Sequence, residues 1–260
     1  MESWGSLAPA GYRVLDRARV GSTNDELRAL ACDGAPHGTV VRAAEQVAGR
    51  GRRGRTWQSA PGNLYLSVML RSAHDARLTT QLGFVAGVAV ADAVDAMLPS
   101  AVRARLKWPN DVLVQGGKIA GILVERLEAQ DGAAAAIVGI GVNVDHAPSG
   151  LPYQATCLRE HGGAEASLDT LTHAVLAALD DGWTAWLRDG FGAVRTRWRR
   201  RGPAVGDPLS VSLPDTTVLG TFADLDQDGA LLLRVGDGVR RFVVGDAVPL
   251  LCSASASPVL

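Results

Sequence analysis

Four arginines and three glycines make up residues 49–55 (GRGRRGR), the most chemically distinctive segment of the chain. Guanidinium groups bind carboxylates and phosphates through paired hydrogen bonds, and glycine lets backbone amides approach an anion. The four charges repel one another, so a bound anion would order the loop. We therefore predict an anion-binding loop. The alternative is a solvated or nucleic-acid-binding loop, but nucleic acid favours charge that is spread along a face.

Only two of the 26 basic residues are lysines, Lys107 and Lys118, and they lie eleven positions apart. Arginine can replace lysine wherever a surface charge is enough, so the remaining lysines are candidates for positions that need a compact ammonium. Lys107 opens residues 107–111 (KWPND), which join two predicted strands. Asn110 and Asp111 make the turn there, and Asp111 can present a carboxylate to an ammonium or to a magnesium ion. The alternative is a plain turn with a surface salt bridge.

A third group is polar but uncharged: Ser22, Thr23, Asn24 and Gln46. Hydroxyl and amide groups both donate and accept hydrogen bonds, which suits a neutral polar ring that carries donors and acceptors. For the first three residues, helix capping is the alternative interpretation.

A second basic cluster, residues 195–201 (RTRWRRR), ends a predicted helix. Cations are favourable at a helix C-terminus, so we interpret this cluster as structural, with Trp198 anchoring the helix. The five histidines show no metal-ligand spacing, and the sequence predicts no protein-bound metal.

Composition restricts the class of protein. The 260 residues are 47% hydrophobic, and 26 basic residues nearly balance 27 acidic ones, which excludes a disordered chain and one held to nucleic acid by bulk charge. The three cysteines are far apart, so neither disulfides nor zinc organise the fold. The N-terminus lacks the pattern of a signal peptide, and the apolar run 84–91 is too short to cross a bilayer. We expect a soluble cytoplasmic protein with no membrane partner.

Alternating strand and helix signals position these residues. Tight turns between neighbouring strands, including Gly116-Gly117, predict an α+β fold whose antiparallel or mixed sheet is covered by helices. Residues 63–71 alternate as a half-buried strand. The predicted strands are residues 38–44, 63–71, 104–108, 111–115, 118–127 and 135–144. The predicted helices start near Ser22 and end at Gly34, and span residues 78–98, 167–187 and 191–200.

The pattern changes near residue 202. Residues 205–251 hold five short strand-like runs split by turn signals, which predict a small SH3-like β-barrel. We therefore predict a catalytic domain over residues 1–202, a C-terminal domain over residues 203–252, and a disordered tail over residues 253–260.

Together these segments resemble the bacterial biotin–protein ligases over residues 12–200, and the predicted barrel resembles that family's C-terminal domain. Order and spacing agree for STN at 22–24, GRGRRGR at 49–55, KWPND at 107–111, KIAGIL at 118–123 and VGIGVNV at 138–144. The arginine–histidine motif of the related lipoate ligases is absent. The pattern begins at Ser22, so we expect a ligase without the DNA-binding domain that some members carry, and no DNA partner.

The resemblance implies a fold similar to class II synthetases and a reaction in two steps. Biotin and ATP, with Mg²⁺, give biotinyl-AMP and pyrophosphate, and a lysine of a biotin carboxyl carrier domain of acetyl- or acyl-CoA carboxylase then takes the biotin. The first step brings two anions together, so its barrier is mostly repulsion and positioning, which a loop of arginines with an opposing ammonium would offset. We expect a monomer or weak homodimer, since a sheet edge can pair.

The resemblance also implies roles for individual residues. Arg50 and Arg52 would bind the carboxylate and the phosphate, Lys118 would bridge them, and Asp111 would position the carrier lysine or a magnesium ion. These four are the predicted catalytic residues. The predicted binding residues are Ser22, Thr23 and Gln46 at the ureido ring, with Asn24 beside them, and Gly49, Arg50, Gly51, Arg52, Arg55, Trp57, Asn110, Lys118, Gly121, Gly141 and Asn143.

One departure from the family concerns the C-terminal domain, which often ends with an arginine aimed at the nucleotide. Residues 245–251 (GDAVPLL) carry no such positive charge.

Two alternative functions stay open on the sequence. A ligase for lipoate or octanoate would share the fold, but Ser22, Thr23 and Gln46 favour a ring with hydrogen-bonding edges over an acyl chain. A nucleic-acid-binding module built on the two arginine clusters would show affinity that falls steeply with salt.

A charge-keeping substitution tests the argument about lysine. Lys118→Arg is expected to lose most biotin adenylation, because a planar guanidinium cannot replace a compact ammonium at a crowded reacting centre. Pyrophosphate release is the measurement, and near-normal rates in this variant would contradict the argument.

Overall fold

The computed structural model describes residues 9–72, 78–128, 134–163 and 166–249; the predicted tail at 253–260 lies outside them. Within these residues the chain forms twelve strands and four α-helices, with short 3₁₀ turns at Arg52–Gly54 and Arg159–His161. In chain order the elements are β1 (Arg13–Val20), α1 (Thr23–Cys32), β2 (Thr39–Gln46), β3 (Leu64–Ser72), α2 (Leu78–Met97), β4 (Ala104–Lys107), β5 (Asp111–Val114), β6 (Gly117–Glu128), β7 (Ala134–Val142), α3 (Leu168–Asp189), α4 (Phe191–Arg201), β8 (Pro208–Ser212), β9 (Thr217–Leu225), β10 (Leu231–Val235), β11 (Gly238–Phe242) and β12 (Asp246–Pro249).

A seven-stranded sheet carries the N-terminal part of the fold, in the order β1-β2-β3-β7-β6-β5-β4. β1 and β2 are parallel, and every other neighbouring pair is antiparallel, so the predicted mixed sheet is confirmed. Strand β1 is not among the predicted strands. This edge strand reads RVLDRARV and buries only Val14, so it lacks the apolar alternation that identifies a strand.

The central strand β3 is buried on both faces, so the prediction that it is half-buried was wrong. Leu66 and Val68 pack in the main core, and Met69 on the opposite face packs in a smaller cluster with Leu27 of α1 and Ile137 of β7. Because α1 covers this second face, Met69 is as inaccessible to solvent as Leu66 on the first face.

Helix α2 is the core helix of the fold. Its segment Thr80–Met97 is long and apolar enough to cross a membrane by length and composition, but 67% of it is buried inside the protein. α2 packs on strands β4 to β7, and α3 packs mainly on α2 and α4. α3 also reaches the sheet, because Asp169 and Thr172 near its start accept hydrogen bonds from Arg42 of β2 (2.6 and 3.2 Å).

The hairpin between β5 and β6 turns one residue earlier than predicted. Gln115 has φ 47° and Gly116 has φ 84°, and Gly117 is already the first residue of β6. Two consecutive left-handed residues fit a two-residue hairpin turn. A β-branched or larger side chain at Gly117 would collide with Thr156, whose Cβ lies 2.9 Å from an ideal Cβ there. In this register Lys118 pairs with Leu113 of β5, and Gly121 pairs with Asp111 at the start of that strand.

The C-terminal strands form an antiparallel five-stranded sheet, in the order β11-β10-β9-β8-β12, consistent with the predicted SH3-like domain. It rests on the turn between β4 and β5. The Trp108 indole donates a hydrogen bond to the carbonyl oxygen of Gly229 (3.0 Å), and the Ala247 amide donates one to the carbonyl oxygen of Trp108 (3.3 Å). The boundary at residues 202–203 stays a prediction.

The arginine cluster at the end of α4 is tied to neighbouring carboxylates. Arg195 and Arg199 pair with Asp224 of β9 at 2.6 and 2.9 Å, and Arg197 and Arg201 pair with Asp92 of α2 at 2.5 and 2.6 Å. Trp198 between them is 1% exposed. These ion pairs agree with a structural role for the arginine cluster, and they neutralise part of the positive charge that a nucleic-acid-binding surface would need.

Two glycines allow a matched test of the contact between the domains. Both Gly229 and Gly236 have positive φ, but a Cβ at Gly229 would lie 2.6 Å from the buried Phe84 ring, whereas a Cβ at Gly236 would meet nothing within 4 Å. Gly236→Ala is expected to cost about 1 kcal/mol of unfolding free energy from backbone strain alone. Gly229→Ala should cost roughly 1–3 kcal/mol more from overpacking. Chemical denaturation measures both values, and equal losses would contradict the packing argument.

Candidate active site

A cavity of about 450 Å³ opens where the N-terminus of α1, the arginine loop (residues 49–55), strands β6 and β7 and residues 151–153 meet. Most of the sequence-predicted site residues line it, although they come from segments far apart in the chain. Those that do are Ser22, Thr23, Asn24, Gln46, Arg50, Gly51, Arg52, Arg55, Trp57, Asn110, Lys118, Gly121 and Gly141.

Three predicted residues lie just behind this lining. A Cβ at Gly49 would lie 2.4 Å from the carbonyl oxygen of Trp57, so glycine is required for close approach there. Asp111 is buried beneath Lys118. Asn143 donates a hydrogen bond to the carbonyl oxygen of Thr156 (3.0 Å) and borders a small adjoining recess.

The uncharged end of the cavity is built on the first turn of α1. The Thr23 amide donates to Gln46 Oε1 (2.8 Å), and Gln46 Nε2 donates to Ser59 Oγ (2.9 Å). Ser22 occupies the N-cap position, but its side chain makes no capping hydrogen bond, so the capping alternative does not hold for this residue. Thr23 and Gln46 are therefore oriented before a ligand binds.

The arginine loop is held open by partners that lie in different directions. Arg50 pairs with Asp25 of α1 (2.5 Å), Arg52 Nη1 donates to Asn110 Oδ1 (3.2 Å), and Arg55 pairs with an acid of the C-terminal domain (3.1 Å). Burial lowers the pKa of the Arg52 guanidinium. An anion that enters the cavity would restore to Arg52 the electrostatic stabilisation it loses by leaving water.

The acid that pairs with Arg55 is Asp246 of β12. The C-terminal domain thus reaches the arginine loop with a carboxylate.

Asp111 lies between the only two lysines of the chain. Its Oδ1 is 2.6 Å from Lys118 Nζ, and its Oδ2 is 2.7 Å from Lys107 Nζ. Burial alone would raise the pKa of this carboxyl, but the two ammonium groups hold it below its usual value. For Lys118, burial lowers the pKa in spite of the attraction to Asp111. Lys107 therefore contributes, together with Lys118, to keeping the Asp111 carboxylate ionised.

Two aromatic rings flank Lys118. Its Nζ lies 5.3 Å from the centre of the Trp57 ring and 5.5 Å from that of Tyr153. The indole fits because a Cβ at Gly141 would lie 2.6 Å from it and one at Gly121 would lie 3.0 Å from it. Trp57 Nε1 is buried without a hydrogen-bond partner among the described residues, so it is a free donor beside the cavity.

Sequence reasoning missed four residues of this region: Ser67, Glu125, Tyr153 and Asp246. Ser67 could have been noticed as a small polar residue inside the largely apolar segment 64–70, and Glu125 as a charge that directly follows the KIAGILV segment. Tyr153 and Asp246 carry no local signal, because only the folded chain brings them near Lys118 and Arg55.

Comparison with known proteins supports the resemblance to the biotin–protein ligases that the sequence motifs indicate. Residues 17–143 match the biotin/lipoate A/B protein ligase family, and residues 209–248 match the biotin protein ligase C-terminal domain. The biotin–[acetyl-CoA-carboxylase] ligase of Paracoccus denitrificans is 39% identical over 84% of this chain and 92% of its own length. The ligase of that name from Mycobacterium tuberculosis is 36% identical over 94% of this chain and 91% of its own length.

Comparison with a solved structure supports the same family resemblance. The biotin protein ligase of Aquifex aeolicus, in complex with biotin and ATP, superposes with a TM-score of 0.77 at 28% identity, over 90% of this chain and 97% of that one. The chain belongs to the biotin protein ligases, within the biotin/lipoate A/B protein ligase family. The predicted resemblance, the fold class and the assignment as a ligase are confirmed; the individual residue roles stay predictions.

The buried charge cluster generates a stability prediction. Asp111→Asn leaves two largely buried ammonium groups without their counter-charge, so we expect a loss of about 3 kcal/mol of unfolding free energy at neutral pH. The pKa of this carboxyl is depressed in the folded protein. Its contribution is therefore present above the ordinary value of 3.8 and is lost as the pH falls through the lower, folded value.

Chemical denaturation at several pH values provides the measurement. Arg188→Gln is the control, because it removes an exposed ion pair with Asp189 and should change stability by less than about 1 kcal/mol. A similar small change in Asp111→Asn would show that the three charges do not depend on one another.

Proposed function

We propose that this chain activates biotin with ATP and transfers it to a lysine of a carrier domain. One observation carries the proposal: a single cavity combines an uncharged hydrogen-bonding end at Thr23 and Gln46 with a cationic end at Arg50, Arg52 and Lys118. Biotin has the matching form, a neutral ureido ring joined by an aliphatic chain to a carboxylate. The names of the related ligases support the same substrate and acceptor.

In the first step a carboxylate oxygen of biotin attacks the α-phosphorus of ATP. A new P–O bond forms, the bond to the bridging oxygen of pyrophosphate breaks, and biotinyl-AMP remains. The attack brings two anions together, so the residues must lower repulsion rather than supply a nucleophile. Arg50 and Arg52 would bind the carboxylate and the α-phosphate, and Lys118 would stabilise the charge that builds up between them.

In the second step the amine of the carrier lysine attacks the carbonyl carbon of biotinyl-AMP, an amide bond forms and AMP leaves. The attacking amine must first lose its proton. Because Asp111 is held below its usual pKa, it is a weak base. Both of its oxygens already pair with Lys107 and Lys118, so it would position the incoming amine only indirectly, by fixing Lys118, and the proton would pass to solvent.

Mg²⁺ fits this proposal as a companion of the nucleotide. Among the described residues, no group of three or more His, Cys, Asp or Glu side chains could hold a metal ion, and both oxygens of Asp111 are within 2.7 Å of a lysine. Magnesium commonly binds through substrate phosphates and few protein groups. We therefore expect it to enter with ATP.

The acceptor and the cellular setting follow from the same proposal. The carrier would be the biotin carboxyl carrier domain of an acetyl- or acyl-CoA carboxylase, and the enzyme would work in the cytoplasm without a DNA partner. A monomer or weak homodimer fits these expectations. Lipoate or octanoate is the second candidate substrate, but neither acid would use the hydrogen-bonding groups of Thr23 and Gln46.

Pyrophosphate release tests the substrate directly. With ATP and Mg²⁺, we expect release with biotin and none above background with lipoate, octanoate or no acid, followed by biotin labelling of an apo carrier domain. Lys118→Met should abolish release, and Arg188→Gln, far from the cavity, should leave it unchanged. Release with another acid but not with biotin would overturn the assignment of the ring site. Folded protein that releases none with any acid would overturn the proposed reaction.

A further inference from the structure

A carboxylate that sequence reasoning missed lies behind the uncharged end of the cavity. Glu125 of β6 is 20% exposed, and its Oε2 accepts a hydrogen bond from Asn24 Nδ2 at 2.7 Å. The same oxygen lies 3.1 Å from Arg28 and 3.3 Å from Arg50. A carboxylate only accepts hydrogen bonds, so Glu125 fixes the orientation of the Asn24 amide, with the nitrogen toward it and the oxygen away from it.

The Asn24 oxygen fixes the next group. It lies 2.6 Å from the hydroxyl of Ser67, which is completely buried in β3. An amide oxygen can only accept, so the single proton of Ser67 points to Asn24. The approach is possible because residue 139 is glycine, since a Cβ there would lie 2.3 Å from Asn24 Oδ1.

Ser67 in turn fixes the hydroxyl of Thr23. The two oxygens are 2.7 Å apart, and Ser67 has already used its proton, so it can only accept from Thr23. The other neighbour of the Thr23 hydroxyl is Gln46 Oε1 at 3.1 Å, which is also an acceptor. Ser67 is the nearer acceptor, and its 2.7 Å contact would set two lone pairs against each other without the Thr23 proton, so that proton points to Ser67 and the Thr23 lone pairs remain for the cavity.

We propose that Glu125 is a positioning residue that determines ring specificity. Through Asn24 and Ser67 it orients the Thr23 hydroxyl as a hydrogen-bond acceptor, matched to an N–H group of the ligand ring. These four residues form a polar relay with one direction, set by the charge at its buried end. The inference rests on the proposed function, in which the ring is the ureido ring of biotin with two N–H donors.

The relay would lose the fixed direction of its hydrogen bonds if Glu125 were made neutral. The Asn24 amide can then turn over, Ser67 then donates to Thr23, and one Thr23 lone pair is no longer available to the ligand. Glu125→Gln would also loosen Arg50, which any carboxylic acid substrate needs. Asn24→Leu has nearly the same shape as the native side chain, and it cuts the relay while the ion pairs of Glu125 with Arg28 and Arg50 remain.

A double-mutant cycle separates these effects. The dissociation constant of biotin is measured by calorimetry for the wild type, Glu125→Gln, Asn24→Leu and the double variant. We expect each single variant to weaken biotin about tenfold, the size of one well-placed hydrogen bond, and the double variant to be little worse than either. In steady-state assays Asn24→Leu should raise the KM for biotin and leave the KM for ATP unchanged, which a general loss of structure would not do.

Arg28→Gln is the matched control, because it removes a cation from the same carboxylate but leaves the relay intact. Its biotin affinity should stay within about twofold of the wild type. Losses that multiply in the double variant, or an Asn24→Leu variant that binds biotin normally, would overturn the relay. If Glu125→Gln melts below the assay temperature, the same cycle with Ser67→Ala decides the question by the same criterion.

The cycle also distinguishes this inference from the proposed function. A wild-type protein that binds no biotin would overturn both. A wild-type protein that binds biotin, with independent losses in the cycle, would overturn the relay alone.

Discussion

Electrostatic repulsion among cations is the constraint on which this site depends. Arg50, Arg52, Arg55 and Lys118 all face one cavity, and two like charges 4 Å apart repel by about 4 kcal/mol at an effective dielectric constant near 20. Acidic residues from four separate elements of the fold compensate these positive charges. Asp25 comes from α1, Glu125 from β6, Asp111 from β5 and Asp246 from β12. The arrangement of the sheet and both domains thus determines where each cation is held in the absence of a substrate.

These counter-charges differ in how readily a substrate can replace them. The pair of Arg50 with Asp25 and the pair of Arg55 with Asp246 keep half-exposed guanidinium groups, so each contributes at most about 1 kcal/mol and exchanges easily for a substrate anion. The pair of Lys118 with Asp111 is nearly buried on both sides, and breaking it would be costly. Arg50 and Arg55 can therefore exchange their partners at small cost, whereas Lys118 and Asp111 are held as a fixed pair.

This division explains what could be predicted from the sequence. The arginine loop, the KWPND turn and the helices have local signals in glycine, proline and apolar spacing, so they were identified together with most of the residues that line the cavity. Glu125 contacts Asn24 across 101 positions and Arg55 contacts Asp246 across 191, and no local pattern encodes such pairs. The second buried face of β3 was missed for the same reason, since burial there is decided by α1 and β7.

The acid in the C-terminal domain has a consequence of its own. Asp246 cannot bind a phosphate, so any effect of this residue on the nucleotide must pass through Arg55. The contacts of Trp108 with Gly229 and Ala247 fix that turn next to Asn110 and Asp111. An anion that draws Arg55 inward must take it from Asp246, at small cost because the pair is partly exposed. Through the pair of Arg55 with Asp246, the C-terminal domain therefore holds the arginine loop by a contact that a bound anion could replace at small cost.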